Sequence, residues 1–221
     1  MKYCHPYFET AIVTGEDKVN AIFVENAAAF SELLRDISSS IEGNDEQSAL
    51  FDNGKTISFS ANVELLSTFF PFELNKKTLL TKIADALEKE ALTAEQYEKS
   101  MKLVSTTEAF LYSLAEAFDC NLSFGKVGVS SIIKSSGLEL VDDYTSLPEK
   151  LLDYFETVRE FDREKLFFTV NLRGFLTDKQ AEDFFQSVVM HQFSVIMLEN
   201  KDYPKSKWEK RLILDKDLCT I

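Results

Sequence analysis

The sequence predicts an α/β fold in which helices cover both faces of a parallel sheet and a pair of long helices is inserted into it. The first observation is that residues 166–170 and 193–198 are nearly continuous apolar runs, as is typical of central parallel strands. The second is the helical period of the chain between them, so residues 165–199 predict a strand–helix–strand unit with a right-handed crossover. The third is a change to helix-forming composition from Asn75 onward.

The helix of the strand–helix–strand unit has a recognisable start. The hydroxyl of Thr177 can accept a hydrogen bond from a first-turn amide, while Gln180 reaches back to the N–H of Thr177. Apolar side chains then recur at helical spacing up to about His191, so we expect one face to pack on the sheet. These side chains are Ala181, Phe184, Phe185, Val188 and Val189.

The N-terminal residues predict two hairpins separated by a helix. The first hairpin joins strands at 9–14 and 20–24 through the turn 15–17. The helix is capped by Asn26, runs to about Ile41 and ends at the turn 43–45. Asn53-Gly54 predicts a type I′ turn between strands at 49–51 and 56–59, because this dipeptide readily adopts two positive φ angles. Residues 63–66 predict one more strand.

Residues 66–137 are predicted to form a helical leg inserted between the two parts of the head, residues 1–65 and 138–221. The first helix follows Asn75, and Thr93 with Gln96 predicts a second capping box. The second helix carries an apolar stripe over about six turns, or roughly 35 Å. Because one antiparallel neighbour rarely covers so long a stripe, an intramolecular helical hairpin and packing against another subunit both stay open. The stripe comprises Tyr97, Met101, Val104, Leu111, Leu114 and Phe118.

The chain from residue 138 onward predicts the β-α-β-α-β order of a doubly wound sheet. Residues 138–141 predict a strand that returns to the head. Ser146, followed by Pro148 in the first turn, predicts the start of the helix that leads into the strand at 166–170.

Composition limits the class of protein. With 221 residues and 45% hydrophobic content, the chain can bury a full core. It has no segment of signal-peptide or membrane-spanning type, so we expect a cytoplasmic protein. Cys4, Cys120 and Cys219 are odd in number and far apart, which argues against disulfides or a paired-thiolate metal site. The formal charge of −13 counts against a nucleic-acid partner unless the basic residues are segregated.

The chain lacks a catalytic signature, so we predict that it is not an enzyme. No Gly-rich loop ending in Lys and Ser/Thr follows a predicted strand, and Gly125 and Gly128 are poorly spaced to hold a phosphate. Two histidines, His5 and His191, offer neither zinc spacing nor a triad. The 37 acidic residues nevertheless keep carboxylate-based hydrolysis open. Five basic residues could contribute to a positive patch if a symmetric assembly brought copies together: Lys76, Lys77, Lys126, Lys134 and Arg173.

Several segments together resemble one known family, the small fourth protein of type II-A CRISPR-Cas loci, a ring-forming adaptation protein that binds DNA ends. The resemblance covers most of the chain and is strongest near the C-terminus. The segments that carry it are Leu50-Phe51-Asp52, Ile133-Lys134-Ser135-Ser136-Gly137, Phe168-Thr169-Val170-Asn171, Gly174-Phe175-Leu176-Thr177, Val195-Ile196-Met197-Leu198-Glu199 and Leu212-Ile213-Leu214-Asp215.

The resemblance implies a degenerate P-loop NTPase-like head that has lost nucleotide hydrolysis, together with the helical leg. It also implies a homotetrameric ring whose positive hole takes ends of double-stranded DNA without sequence preference, in CRISPR spacer acquisition during antiviral defence. The five basic residues named above are the expected hole residues, and the integrase and effector nuclease of adaptation are the expected protein partners. Two alternatives stay open: a metal-dependent nuclease or phosphohydrolase, and a protein-interaction scaffold on the same fold.

Calcium is the one cofactor that the resemblance raises. Family members that bind structural calcium use several carboxylates just after the long helix, whereas this chain has Asp119 followed by Cys120 and, further on, Lys126. Calcium prefers about six to eight oxygen ligands. We therefore expect no calcium dependence here, and Lys126 is a hypothetical substitute for the charge of the cation.

Overall fold

A computed structural model of the chain describes residues 1–44 and 47–221. The chain divides into two compact units, a head unit (Met1–Leu74 with Asp142–Ile221) and a helical unit (Asn75–Val141). In the head unit the strands are β1 (Lys2–Cys4), β2 (Ile12–Val13), β3 (Val19–Val24), β4 (Ala49–Asp52), β5 (Lys55–Ile57), β6 (Val63–Leu66), β7 (Leu166–Val170), β8 (Ser194–Glu199) and β9 (Glu209–Leu214). The α-helices along the chain are α1 (Ala27–Glu42), α2 (Phe59–Asn62), α3 (Lys77–Ala91), α4 (Tyr97–Ala115), α5 (Val129–Ser135), α6 (Leu147–Phe161) and α7 (Asp178–Met190).

A five-stranded parallel sheet in the order β6-β7-β8-β3-β9 forms the centre of the head unit. Every residue of β3, β7 and β8 is buried, as expected of strands covered on both faces. This sheet and the helix between β7 and β8 confirm the α/β prediction. The P-loop-like part of that prediction stays an expectation.

Alternate side chains of the sheet enter two different cores. On one face, Phe168, Ile196 and Ile22 share a core with Leu33 and Ile37 of α1. A second sheet, in the order β2-β1-β4-β5, adds Tyr3 and Leu50 to the same core. Each buried side chain of this size contributes about 1.5–3 kcal/mol to folding.

The opposite face of the parallel sheet packs against α6 and α7. Phe167 of β7 stacks on Phe155 of α6, with ring centroids 4.1 Å apart, and Phe155 also contacts Phe184 of α7. Ala181, Phe184, Phe185 and Val188 are the buried residues of α7, as the predicted stripe requires.

The local start and turn signals behave largely as the sequence predicts. The Asn26 side chain caps α1 by accepting from Ala28 and Ala29, and Gly43 ends this helix with φ 77°; Asp45 of the predicted turn lies outside the described residues. The capping box of Thr177 and Gln180 is formed. Between β4 and β5, Asn53 and Gly54 adopt φ angles of 48° and 76°. Ser146 caps α6.

The predicted N-terminal hairpin is wrong. β2 pairs antiparallel with β1, whereas β3 pairs parallel with β8 and β9. The reason is visible in burial, because all six residues of β3 are buried and a hairpin strand with one exposed face would alternate.

The strand predicted at 138–141 is also wrong, because this segment forms no strand in the structure. The N–H of Leu140 donates to Oδ1 of Asn75 at 2.7 Å, and Nδ2 of Asn75 donates to the Leu140 carbonyl at 3.1 Å, so a side chain takes the place of a neighbouring strand. The edge strand beside β7 is β6.

The second predicted capping box is absent. The Thr93 hydroxyl donates back to the Glu90 carbonyl at 2.8 Å, and α4 begins four residues later at Tyr97. Threonine near a helix end often makes such local bonds to the backbone, which compete with capping.

Candidate nucleic-acid interface

Charge is distributed unevenly between the two units. The helical unit contains eight lysines and nine carboxylates, a net charge of −1, which leaves −12 of the formal −13 on the head unit. The strongly negative head unit repels a polyanion such as DNA, whereas the nearly neutral helical unit repels it far less. The helical unit is therefore the part of the chain where a DNA phosphate meets the least repulsion.

Four of the five predicted basic residues, all lysines, lie in this helical unit. Lys76 is the N-cap residue of α3 and Lys77 its first residue, while Lys134 lies in the last turn of α5. Lys126 precedes α5 in a segment that is neither helix nor strand. The side chains of Lys77, Lys126 and Lys134 are exposed, and within residues 1–44 and 47–221 no carboxylate approaches them within 4.0 Å.

Two contacts hold part of this lysine set together. Helices α3 and α5 contact each other, and the paired bonds between Asn75 and Leu140 join the residue before Lys76 to the segment that follows α5. The structure therefore brings the start of α3 and the end of the helical unit together.

The N-terminus of α3 has the features of an anion site. No side chain caps its first-turn amides, and its first turn contains no acidic residue. Cations at this end of a helix are unfavourable by about 0.3–1 kcal/mol because the helix dipole is positive there. A bound phosphate would remove that cost, since free amides and the dipole both favour an anion.

Arg173 has a different environment from the lysines. It follows β7 in a 3₁₀ turn (Leu172–Phe175), and its side chain is only 3% exposed. Its Nη2 lies 3.1 Å from Oδ1 of Asp178 and its Nη1 lies 3.6 Å from Oε2 of Glu209. The guanidinium also lies over the ring of Tyr203, 5.0 Å from its centroid. Carboxylates and an aromatic ring surround the Arg173 guanidinium, so it is not accessible to a DNA phosphate.

Glu199 completes a buried polar network with Arg173. It is fully buried at the carboxyl end of β8, where Oε1 accepts from the Arg173 backbone N–H at 3.1 Å. Burial raises the pKa of its carboxyl to about 7, against the smaller opposing effects of Arg173. Sequence reasoning missed this network because burial is not visible in a sequence. The signal available in the sequence was a cation, Arg173, three residues after one apolar run and a carboxylate, Glu199, at the end of the next.

Proteins with α/β folds bind nucleotides at the carboxyl edge of the sheet. In this chain the cavity at that edge, lined by residues that include Glu25, Asn200 and Lys201, is too small for a nucleotide. The cavity there has a volume of about 40 Å³, far below the roughly 300–1,000 Å³ of ligand pockets. The link from β3 to α1 consists of two residues, and Asn26 itself accepts from the first-turn amides of α1.

The residues near Asp119 do not fit calcium. In the described part of the chain, residues 1–44 and 47–221, no group of three or more His, Cys, Asp or Glu side chains is arranged to hold a metal ion. Calcium requires about six to eight oxygen ligands, and Asp119 lies beside Cys120 rather than beside further carboxylates. Within the same described ranges, no helix is long and apolar enough to cross a membrane.

Comparison with known proteins agrees with this architecture. A family model for the CRISPR-associated protein Csn2 matches residues 41–218. The chain belongs to the Csn2 family. This confirms the resemblance seen in the sequence and establishes a CRISPR-associated role. A search of curated proteins finds no significant match.

The crystal structure of Stu0660 of Streptococcus thermophilus is among the solved structures that are similar in fold. The TM-score is 0.59 at 13% sequence identity, and the match covers 97% of this chain and 75% of that one. This neighbour supports the α/β fold of the chain.

Proposed function

We propose that this Csn2 family protein binds the ends of double-stranded DNA without sequence preference, as a homotetrameric ring, and without catalysis, during CRISPR spacer acquisition. The observation that carries the proposal is the N-terminus of α3, where Lys76 is the N-cap residue, Lys77 is the first helical residue and no side chain caps the first-turn amides. This combination favours a phosphate group rather than a base edge. Family membership supplies the CRISPR context.

The phosphate contacts would come from the helical unit. Lys76, Lys77, Lys126 and Lys134 are the proposed ligands, and Arg173 is left out because its guanidinium is buried against carboxylates. Four lysines on one chain are a small number of cations for a duplex. Four copies around a hole would bring sixteen ammonium groups toward the same duplex.

Self-association is supported by the second helix of this unit. No residue of α4 is buried, although the helix carries a long apolar stripe. Tyr97 and Leu114 of this stripe are about half exposed, and so are three apolar side chains of α4 outside the stripe, Leu103, Phe110 and Tyr112. Exposed apolar area on this scale is typical of a surface that another chain covers, which favours the inter-subunit alternative over a helical hairpin alone.

The head unit suits protein partners rather than DNA. Its net charge of −12 would attract basic proteins and repel phosphate. We extend the proposal to the integrase and effector nuclease of CRISPR adaptation as partners of this acidic surface.

The double variant Lys76→Ala/Lys77→Ala tests the phosphate site. Binding of linear duplex should weaken, and the slope of log affinity against log salt should fall by about 0.9 for each phosphate that the variant no longer neutralises. Lys99→Ala/Lys102→Ala removes the same charge from exposed positions of α4 and is the matched control. Equal affinity and equal salt slope for the two double variants would contradict the assignment. Divalent-metal-dependent cleavage of the DNA would instead favour a nuclease.

A further inference from the structure

The head unit contains an aromatic groove that the DNA-binding proposal does not use. Its lining comes from two segments, Phe69–Phe72 and residues 142–150, and its volume is about 270 Å³. This is enough for one or two large side chains and slightly below the roughly 300–1,000 Å³ typical of cofactor pockets. Every lining residue belongs to the head unit.

The floor of the groove is rigid and its rim is open. Phe69 and Phe72 are buried and stack on each other, and Phe72 meets Tyr154 edge-on with ring centroids 5.2 Å apart. Phe70 between them is 88% exposed. The buried side chains of Phe69 and Phe72 fix the position of Phe70, whose ring is exposed to solvent. Covering this apolar ring with an apolar partner would be favourable, because apolar area in water is unfavourable.

The polar rim is strongly acidic. The single ammonium group, that of Lys150, lies 2.6 Å from Oδ2 of Asp142 and also over the ring of Phe72. Tyr144 donates to Asp153, and Thr145 donates to Glu149. Glu73 and Asp143 are exposed beside the lining residues Phe72 and Asp142. Residues 69–73 and 142–153, which contain the lining residues, their sequence neighbours and their hydrogen-bond partners, carry five carboxylates and one ammonium group, a net charge of −4.

We propose that this groove is a docking site for a protein segment with a large apolar side chain flanked by lysine or arginine. The apolar side chain would insert over Phe69 and Phe72 against Phe70, and the basic residues would face the acidic rim. DNA is disfavoured because its phosphates would meet that rim. The head unit of a second copy is disfavoured because it carries the same negative charge, and the proposed self-association uses α4 of the helical unit. The site does not depend on DNA binding, because its residues are separate from the four lysines.

A fluorescein-labelled nine-residue peptide with a central tryptophan between lysines tests the site against the full chain. Fluorescence anisotropy should show binding that weakens about tenfold when the peptide's tryptophan becomes alanine, as expected of an interface anchor. A peptide with glutamate in place of lysine should not bind. A benzophenone version of the first peptide should cross-link to residues 69–72 or 142–150.

Two variants of the protein locate the binding. Phe70→Ala should weaken the tryptophan peptide about tenfold, as loss of an aromatic anchor does, and Asp143→Lys should weaken it further as salt is lowered. Met190→Ala, at a side chain 70% exposed elsewhere in the head unit, and Glu160→Lys, at an exposed position of α6, are the matched controls and should leave affinity unchanged.

Three results would overturn the proposal. The first is equal peptide affinity for Phe70→Ala and Met190→Ala, or cross-links elsewhere. The second is a change in sedimentation of Phe70→Ala with unchanged peptide binding, which would assign the groove to a second copy. The third is a loss of DNA affinity in Phe70→Ala with unchanged peptide binding, which would assign it to nucleic acid. Because Phe70 is so exposed, the thermal midpoint of Phe70→Ala should match that of the parent, which keeps these results interpretable.

Discussion

Replacing Glu199 by glutamine should remove a specific pH dependence from the stability of the protein. Burial raises the pKa of this carboxyl to about 7 in the folded chain, from an ordinary value of 4.5. Between these two values the folded state keeps a proton that the unfolded state has lost. Stability therefore falls as pH rises through this window and levels off above about pH 7. Glutamine mimics the neutral carboxyl and cannot ionise.

The size of the effect follows from the difference between the two pKa values. That difference, 7 minus 4.5, is about 2.5 pKa units, or about 3 kcal/mol at 1.36 kcal/mol per unit. Measurements from pH 5.5 upward stay clear of the isoelectric point near 4.7. Between pH 5.5 and the folded-state pKa of about 7 they cover about 1.5 pH units, which corresponds to a change of about 2 kcal/mol in the free energy of unfolding.

Urea unfolding at pH 5.5 and pH 8.5 measures the effect as a difference between variant and parent, so groups common to both cancel. Relative to the parent, Glu199→Gln should gain about 2 kcal/mol between the two pH values. Glu160→Gln, at an exposed position, controls for the loss of one negative charge. A variant-to-parent difference that is the same at both pH values would refute the reasoning, because it would mean that Glu199 is already ionised in the folded protein at pH 5.5.

Three further perturbations test the packing, the turn and the metal. Arg173→Ala should cost about 1–3 kcal/mol of unfolding free energy by removing the cation beside the buried Oε2 of Glu209, whose Oε1 keeps Arg211; Arg35→Ala, at an exposed pair, should cost at most about 1 kcal/mol, and equal losses would contradict the network. Gly54→Ala should cost about 1–2 kcal/mol from its φ of 76° alone, since a Cβ there meets no atom within 4 Å; an unchanged urea midpoint would contradict this. Calcium titration should leave the thermal midpoint unchanged, and a rise in the midpoint with calcium would show that the folded protein binds the ion.

The sequence predicts those parts of the fold that depend on local chemistry or on long apolar runs. The cap at Asn26, the box at Thr177 and the turn at Asn53-Gly54 each depend on residues next to one another, and all three form. Strands β7 and β8 are recognisable because burial on both faces leaves no polar alternation.

The capping box predicted at Thr93 fails for a local reason, its bond to the Glu90 carbonyl, whereas the two strand errors share one physical cause, which is pairing between residues distant in the chain. Residues 20–24 look equally apolar in a hairpin and in a parallel sheet, and only β8 and β9 decide between them. The segment 138–141 has strand-like composition, but its backbone bonds go to Asn75, 65 residues away. The site shows the same limit. The lysines are visible in the sequence as charges, whereas the burial of Arg173 depends on Asp178, Tyr203 and Glu209.

A gel-shift comparison of linear and closed circular duplex of the same sequence, at low salt and with or without calcium, tests the central claim most directly. A ring that DNA enters from an end should bind the linear form alone, with equal affinity in both calcium conditions and a steep loss of binding as salt rises. Equal binding to linear and circular DNA would contradict the closed ring, and binding to neither would leave the protein as an interaction scaffold.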